Sequence, residues 1–348
     1  MVDLSKAYDR INTSLLCDKM RETELPGLVI EFIDFMCKNT FVCTSYGGQL
    51  SDEWNVRNGV RQGGISSGIL FNFYLNEVIS DITKLPVGCT LNCNKVNILG
   101  YADDLVLVAP TAQALQLMLN ALTCKLSTLS LQVNVQKSCN IVFRHSNKKV
   151  LTSLTMNNQP LRQVMDTTYL GVVLSDDLSC AKDVERAKLA FFKQFNSIYH
   201  KFSFVDKNVL LHLFRLHAMS FYGAETWYIN LNKKDLKNIS KAIKRMCGRN
   251  YYDGNHECLE QVNLPIFKHF LAKKQIQLSF RLFHSRSPCL SNHKYYFRYG
   301  SLFSKYIRKL FSDNYQIIDV FDNPMCAITS RIDYVQRNEP RSSGYDPG

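Results

Sequence analysis

Two adjacent carboxylates, Asp103 and Asp104, stand between two apolar, β-forming runs, Asn97-Ile98-Leu99-Gly100 and Leu105-Val106-Leu107-Val108-Ala109. Short apolar runs joined by a brief polar step predict a hairpin with Tyr101-Ala102-Asp103-Asp104 at its tip. Like charges a few ångströms apart repel, so either a cation sits between them or one carboxyl keeps a proton. Hard oxygen ligands with no His or Cys nearby suit Mg²⁺ rather than zinc. Read alone, such a pair is usually a solvated turn; the rest of the chain decides.

The 348 residues suffice for one large domain or two smaller ones, and 46% hydrophobic with 21% charged residues fits a globular protein. No apolar window is long enough to span a membrane, and Met1-Val2-Asp3-Leu4-Ser5-Lys6 lacks the pattern of a signal peptide. Twelve scattered cysteines without framework spacing read as reduced thiols. The net charge of +12 is segregated: residues 1–180 hold fifteen Lys+Arg against sixteen Asp+Glu, and residues 181–348 hold twenty-seven against fourteen. A basic half suggests a polyanionic partner, nucleic acid first, or a solvated basic surface.

Residues 12–38 predict two short helices, the first capped by Thr13 or Ser14. Pro26 opens the second, which carries Leu28, Ile30, Phe32, Ile33 and Phe35. Residues 40–46 predict a strand that turns at Gly47-Gly48 and pairs with 53–60. A helix follows over 67–82, then the acidic hairpin, then a Thr111-capped helix carrying Leu115, Leu119, Leu122, Leu126 and Leu129. Residues 131–135, 139–143 and 168–174 predict strands. Beyond Ser179 long helical patterns dominate (181–202, 206–222, 233–247 and 266–284), so a boundary is expected near 175–180. Residues 338–348 predict a disordered tail.

Two further segments give the acidic pair its context. One is Asp3-Leu4-Ser5-Lys6-Ala7-Tyr8-Asp9-Arg10-Ile11-Asn12. The other is Gly59-Val60-Arg61-Gln62-Gly63-Gly64-Ile65-Ser66-Ser67-Gly68. Asp-x-x-x-x-Tyr, then Gly-Val-Arg-Gln-Gly, then Tyr-Ala-Asp-Asp, in that order, resemble motifs A, B and C of reverse transcriptases, most closely those of non-LTR, LINE-type retrotransposons. Leu131–Lys137 resembles motif D, and Tyr169-Leu170-Gly171-Val172 resembles the primer-grip loop after it. Phe221-Tyr222-Gly223-Ala224-Glu225-Thr226-Trp227 is similar to a downstream segment of the same retroelements.

The resemblance implies an α+β palm over 1–178, an RRM-like antiparallel sheet with packed helices, in a right-hand polymerase architecture. A mostly helical thumb and basic C-terminal region would occupy 179–337. It implies RNA-directed DNA synthesis on an RNA template and DNA primer, with dNTPs as substrates and cytoplasmic or nuclear residence. Two Mg²⁺ ions, or Mn²⁺ in their place, held ~3.5–4 Å apart would activate the primer hydroxyl and stabilise the leaving oxygen. Asp3, Asp103 and Asp104 would be the catalytic carboxylates and metal ligands, with the Leu4 backbone carbonyl. Tyr8 would exclude a ribose 2′-hydroxyl. Gln62 and Gly63 would meet the nucleotide, and Lys137 would be a general acid or triphosphate contact. Arg61, Tyr101, Ala102, Leu170 and Gly171 would meet template or primer; Arg61 is equally a plain surface arginine. Tyr101 is expected to pack within the hairpin. Gly68 departs from the family pattern, which has proline there.

The same resemblance implies a fingers region and a palm strand ahead of motif A. Here only Met1 and Val2 precede Asp3, so the sequence reads as a piece beginning at motif A with the fingers largely missing. Asp3 is then expected on a frayed terminus. The alternative function is a catalytically inactive remnant that binds nucleic acid through its basic half. The Cys247, His256, Cys258, Cys289 and His293 spacings match no common zinc motif, and nothing in the sequence sets an oligomeric state.

Overall fold

The computed structural model describes residues 1–91, 94–144, 150–227, 231–246 and 248, with eight helical positions between Phe267 and Arg281. The Cys247/His256/Cys258/Cys289/His293 set and the 338–348 tail lie outside the described residues. The chain forms two compact units, Met1–Val142 with Lys148–Val164, and Phe143–Asn147 with Met165–Gly348.

The first unit has four principal helices, α1 (Thr13–Arg21), α2 (Gly27–Lys38), α3 (Ser67–Lys84) and α4 (Ala112–Thr128). Asn12, rather than Thr13 or Ser14, caps α1: its side-chain oxygen accepts the Leu15 N–H at 3.0 Å, while Thr13 is buried. Thr111 caps α4 as its sequence predicts, accepting the Ala114 N–H at 3.2 Å. Phe71, Tyr74, Leu75, Val78 and Ile82 of α3 meet Met118, Leu119, Leu122 and Leu126 of α4 in one core. The Tyr74 hydroxyl, buried at its centre, donates to the Leu129 carbonyl at 2.9 Å. That single bond satisfies the polar end of an otherwise apolar contact.

Helix α2 departs from expectation. Ile30 alone is buried, while Leu28, Phe32 and Phe35 are more than 60% exposed. The 40–60 region also differs from one long strand pair. Phe41–Val42 pairs with Trp54–Asn55, and Ser45–Tyr46 pairs with Gln49–Leu50 around Gly47-Gly48. All four pieces are exposed, so alternation buries no face and long strands gain nothing there.

Strand pairing around the acidic hairpin is lateral and built from short pieces. Ile98–Tyr101 pairs antiparallel with Asp104–Leu107. Leu105 pairs with Val2, Leu4 with Val133, and Met1 exchanges backbone hydrogen bonds with Cys139. Cys139–Ile141 continues in parallel to Arg162–Val164. Residues 131–135 do not form a regular strand. Only Val133 bridges before the chain turns at 135–137.

The second unit begins with a hairpin, Asp166–Tyr169 against Val172–Ser175, not the single strand expected over 168–174. Leu170 and Gly171 take φ of +46° and +76°, and that two-residue left-handed turn reverses the chain. Helices α5 (Ala181–Phe202), α6 (Lys207–His217), α7 (Ala224–Trp227) and α8 (Lys233–Met246) follow. Val184, Ala187, Phe191, Phe195 and Ile198 fall on one stripe of α5 and pack with Leu210, Phe214, Trp227 and Ile243 in a separate core. Helix α6 ends at His217 rather than running to 222, and the chain beyond it takes positive φ at Phe221 (+41°) and Gly223 (+83°). Among the described residues no helix is long and apolar enough to cross a membrane.

Candidate active site

The first five residues form the middle rung of the acidic site. Val2 donates to the Leu105 carbonyl at 2.8 Å and accepts the Leu105 N–H at 3.3 Å. On the other side Ser5 donates to Gln132 O, and Asn134 donates to Asp3 O, both at 2.8 Å. The Met1 ammonium donates to Cys139 O at 2.8 Å. Asp3 is therefore hydrogen-bonded through both neighbours rather than frayed. Val2 and Leu4 are buried and Asp3 is partly exposed, the two-residue alternation of a strand that points its carboxylate to the opposite face. The ladder uses Asp3 O and Ser5 N–H and leaves the Leu4 carbonyl outside it.

Tyr101 pairs with Asp104 across the acidic hairpin, with Ala102 and Asp103 as the two-residue loop. Ala102 holds φ +52°, a left-handed conformation unfavourable for any residue with a Cβ, and packs against the core. Leu105 is buried at 1% exposure and anchors the outgoing strand. Tyr101, expected to pack, is instead 66% exposed, because the strand's alternation turns its ring away from the core.

The three acids repel one another. Partial burial, then the charge of Asp103, then that of Asp3 raise the Asp104 carboxyl above its ordinary range. No basic side chain forms an ion pair with any of the three among the described residues. As placed, no three His, Cys, Asp or Glu side chains among the described residues stand close enough to hold an ion. The donor set nevertheless fits a hard divalent cation. It is all carboxylate, mutually repulsive and without a competing counter-ion.

Tyr8 sits on a 3₁₀ turn, Tyr8–Arg10. Its ring stacks on Phe71 of α3 with centroids 5.0 Å apart and planes at 25°. Burial first, and the Asp103 charge second, push its phenol upward, which places the hydroxyl in the field of the acidic pair. The segment after Asn58 is clamped to the same turn: Gly59 donates to Ile11 O at 2.8 Å and Val60 donates to Tyr8 O at 2.9 Å. A Cβ on Gly59, at φ +93°, would lie 2.9 Å from Asp9 Cα and from Tyr8 O, so only glycine fits. Arg61, Gln62 and Gly63 then form an exposed turn, closed by the Gly64 N–H to Arg61 O at 3.0 Å, that leads into α3. Gly68 lies in the first turn of α3, which forms without proline there.

Lys137 is exposed in the turn that starts at Asn134, whose side-chain oxygen accepts the Lys137 N–H at 3.2 Å. The next residue, Ser138, reaches Asp3: its Oγ accepts the Asp3 N–H at 3.1 Å and donates to Asn134 O at 2.7 Å. Sequence reasoning missed Ser138, Asn134 and Phe71 as supports of Asp3 and Tyr8. The one available signal was the Asn-x-x-Lys-Ser turn pattern beside the motif D segment. Leu170 and Gly171 belong to the second unit, at the tip of its hairpin.

Residues 1–174 match the family model described as Reverse transcriptase (RNA-dependent DNA polymerase). Among curated proteins, the chain is 25% identical over 179 residues to a Retrovirus-related Pol polyprotein from type-2 retrotransposable element R2DM of Drosophila melanogaster. That match covers 49% of this chain and 17% of the relative. It is 28% identical over 210 residues to one from type-1 retrotransposable element R2 of Nasonia vitripennis, covering 56% of this chain and 20% of the relative. A Popillia japonica R2 polyprotein is 25% identical over 182 residues, half of this chain and 30% of the relative. The chain thus spans about a fifth to a third of the length of these relatives. Since the family model covers half of the 348 residues and takes in all three acidic positions, the chain belongs to the reverse transcriptase (RNA-dependent DNA polymerase) family, with distant similarity to R2 non-LTR retrotransposon polyproteins.

Proposed function

We propose that this chain carries the nucleotide-adding centre of a non-LTR retrotransposon reverse transcriptase, extending a DNA primer on an RNA template with dNTPs. The observation that carries this reading is the pairing of the Asp3 segment with the Asp103-Asp104 hairpin, through Val2 and Leu105, within residues matched to the family. In this reading residues 1–178 are the palm of a right-hand polymerase. Its RRM-like sheet would be assembled from the two-stranded acidic hairpin, the bridges of Val2 to Leu105 and Leu4 to Val133, and the Cys139 strand, and residues 179–337 would supply the thumb.

Asp3, Asp103 and Asp104, with the Leu4 carbonyl beside them, would hold Mg²⁺ or Mn²⁺. When bound, such ions supply Lewis-acid activation of the primer hydroxyl and charge neutralisation on the leaving phosphates. The chain's own side chains do the rest. The Tyr8 ring, fixed on Phe71, closes the space a 2′-hydroxyl would need. Gln62 and Gly63 present an exposed turn to the nucleotide and its template base, where Gln62 offers both donor and acceptor. Arg61 meets a template phosphate. Lys137, one residue from the Ser138 that supports Asp3, would be a general acid to the departing diphosphate or a triphosphate contact. Ala102 would sit beneath the primer end and Tyr101 would meet template or primer; in the second unit, taken by itself, Leu170 and Gly171 would contact the primer strand.

A second reading, nucleic-acid binding without catalysis, draws on the charge excess of the second half. Primer extension on poly(rA)/oligo(dT) with Mg²⁺, run beside Asp103→Ala, separates the two. Extension by the wild type alone supports the polymerase. Equal signals from both proteins, with salt-sensitive binding in each, leave only the binder.

A further inference from the structure

The Phe221–Trp227 segment has no role in the reading above, and its geometry gives it one. Phe221 and Trp227 point inward. Phe221 stacks on Phe191 at 5.1 Å, and Trp227 is 1% exposed. Between them Tyr222 points outward, 56% exposed. Its ring lies against the Leu170–Gly171 turn: a Cβ built on Gly171 would sit 3.1 Å from Tyr222 Cε1. The glycine thus brings its backbone flush against the aromatic ring, leaving ring, turn and the exposed Leu170 side by side on one surface.

A buried charge relay holds these pieces in register. Asp183 of α5 is 2% exposed. Its Oδ1 accepts the Val173 N–H of the hairpin at 3.0 Å and the Arg186 Nε–H at 2.6 Å. The same guanidinium donates to the Tyr222 carbonyl at 2.9 Å. The hairpin and the Tyr222 turn are therefore tied to a single carboxylate on α5. The backbone cost of Phe221 at φ +41° is borne where it turns the next ring outward.

We infer that Tyr222 and the Leu170–Gly171 turn form one composite nucleic-acid contact, in which the Tyr222 ring stacks on the primer strand beside the turn. The chemistry favours a nucleic-acid strand. An exposed ring offers a stacking face beside the exposed Leu170, and residues 181–348, from which Tyr222 comes, hold the basic excess of the chain. This inference rests on the proposed primer-binding role of the turn.

The test uses the full chain with an RNA–DNA template–primer carrying 2-aminopurine at successive primer positions. Binding is followed by anisotropy and stacking by 2-aminopurine quenching. Tyr222→Ala is expected to weaken template–primer binding about five- to tenfold and to abolish quenching at one primer position, while Tyr222→Phe retains both. The dNTP KM stays unchanged in both variants. Because Tyr222 is exposed, its truncation leaves the core in place. Wild-type affinity and quenching in Tyr222→Ala would overturn the inference. A wild type that binds and quenches but does not extend would refute the polymerase reading and leave this contact standing.

Discussion

Two glycines of one motif, Gly59 and Gly63, both have positive φ, at +93° and +82°, but in different surroundings. A Cβ on Gly59 would meet Asp9 Cα and Tyr8 O at 2.9 Å and Asp9 O at 3.0 Å, while one on Gly63 meets nothing within 4 Å. Gly63→Ala therefore bears only the backbone term, about 1–2 kcal/mol. Gly59→Ala bears a similar term and forces apart two backbone segments, adding about 1–3 kcal/mol on the scale of overpacked cores. Together these come to roughly 2–5 kcal/mol, before any strain on the Gly59–Ile11 and Val60–Tyr8 hydrogen bonds. Against a domain stability of about 5–15 kcal/mol that is a large loss. Urea unfolding of the two variants measures it as a difference in midpoint at constant m. Gly59→Ala should also raise the dNTP KM, because the Tyr8 turn it displaces lines the proposed nucleotide site. Equal destabilisation by the two substitutions would show that close approach to the Tyr8–Asp9 backbone is not why glycine stands at 59.

Other outcomes follow from the same geometry. Tyr8→Ala, which empties the space above Phe71, should raise ribonucleotide incorporation relative to deoxyribonucleotide by roughly tenfold or more in single-nucleotide extension assays. Asp104→Asn should reduce extension less than Asp103→Asn, which should remove most of it while leaving the circular dichroism spectrum unchanged. The raised Asp104 carboxyl makes the ion-free protein bind a proton that the unfolded chain has already released. Its stability should therefore fall as pH rises upward from the ordinary Asp value through the folded one. Asp104→Asn should flatten that slope in pH-dependent urea melts. Binding of template–primer should weaken steeply with salt, with a log–log slope of about −0.7 to −0.9 per phosphate contact, as titrations at several KCl concentrations would show.

The sequence made the acidic hairpin legible because two apolar runs and a four-residue tip leave few alternatives, and the two helices that flank it carry regular 3–4 spacing. Thr111 was readable as a cap for the same local reason. The Asn12 cap was not, because Asn12, Thr13 and Ser14 are all competent acceptors and only burial of Thr13 decides among them. The 168–174 segment reads as one strand by composition. Its reversal depends on Leu170 accepting φ +46°, which local propensity opposes, followed by Gly171 at φ +76°. The exposed face of α2 shows the converse, since apolar spacing identifies a helix but not what covers it. At the site, the identities of Asp3, Tyr8, Asp103 and Asp104 were readable from ordered motifs. The anchoring of Asp3 was not. It depends on Ser138, Asn134 and Cys139, more than 130 residues away, and on the Leu105 pairing, and no local pattern encodes such long-range bonds.

The central claim is that carboxylates from two distant segments form one divalent-ion site. Mn²⁺ binding followed by electron paramagnetic resonance tests it most directly, on the wild type, Asp3→Asn and Asp103→Asn. If Asp3 and Asp103 share one such site, the wild type should take up Mn²⁺, Mg²⁺ should displace it, and either substitution should weaken the tightest site by about tenfold or more, the scale on which changes around a metal site are felt. Unchanged Mn²⁺ affinity in both variants would contradict it.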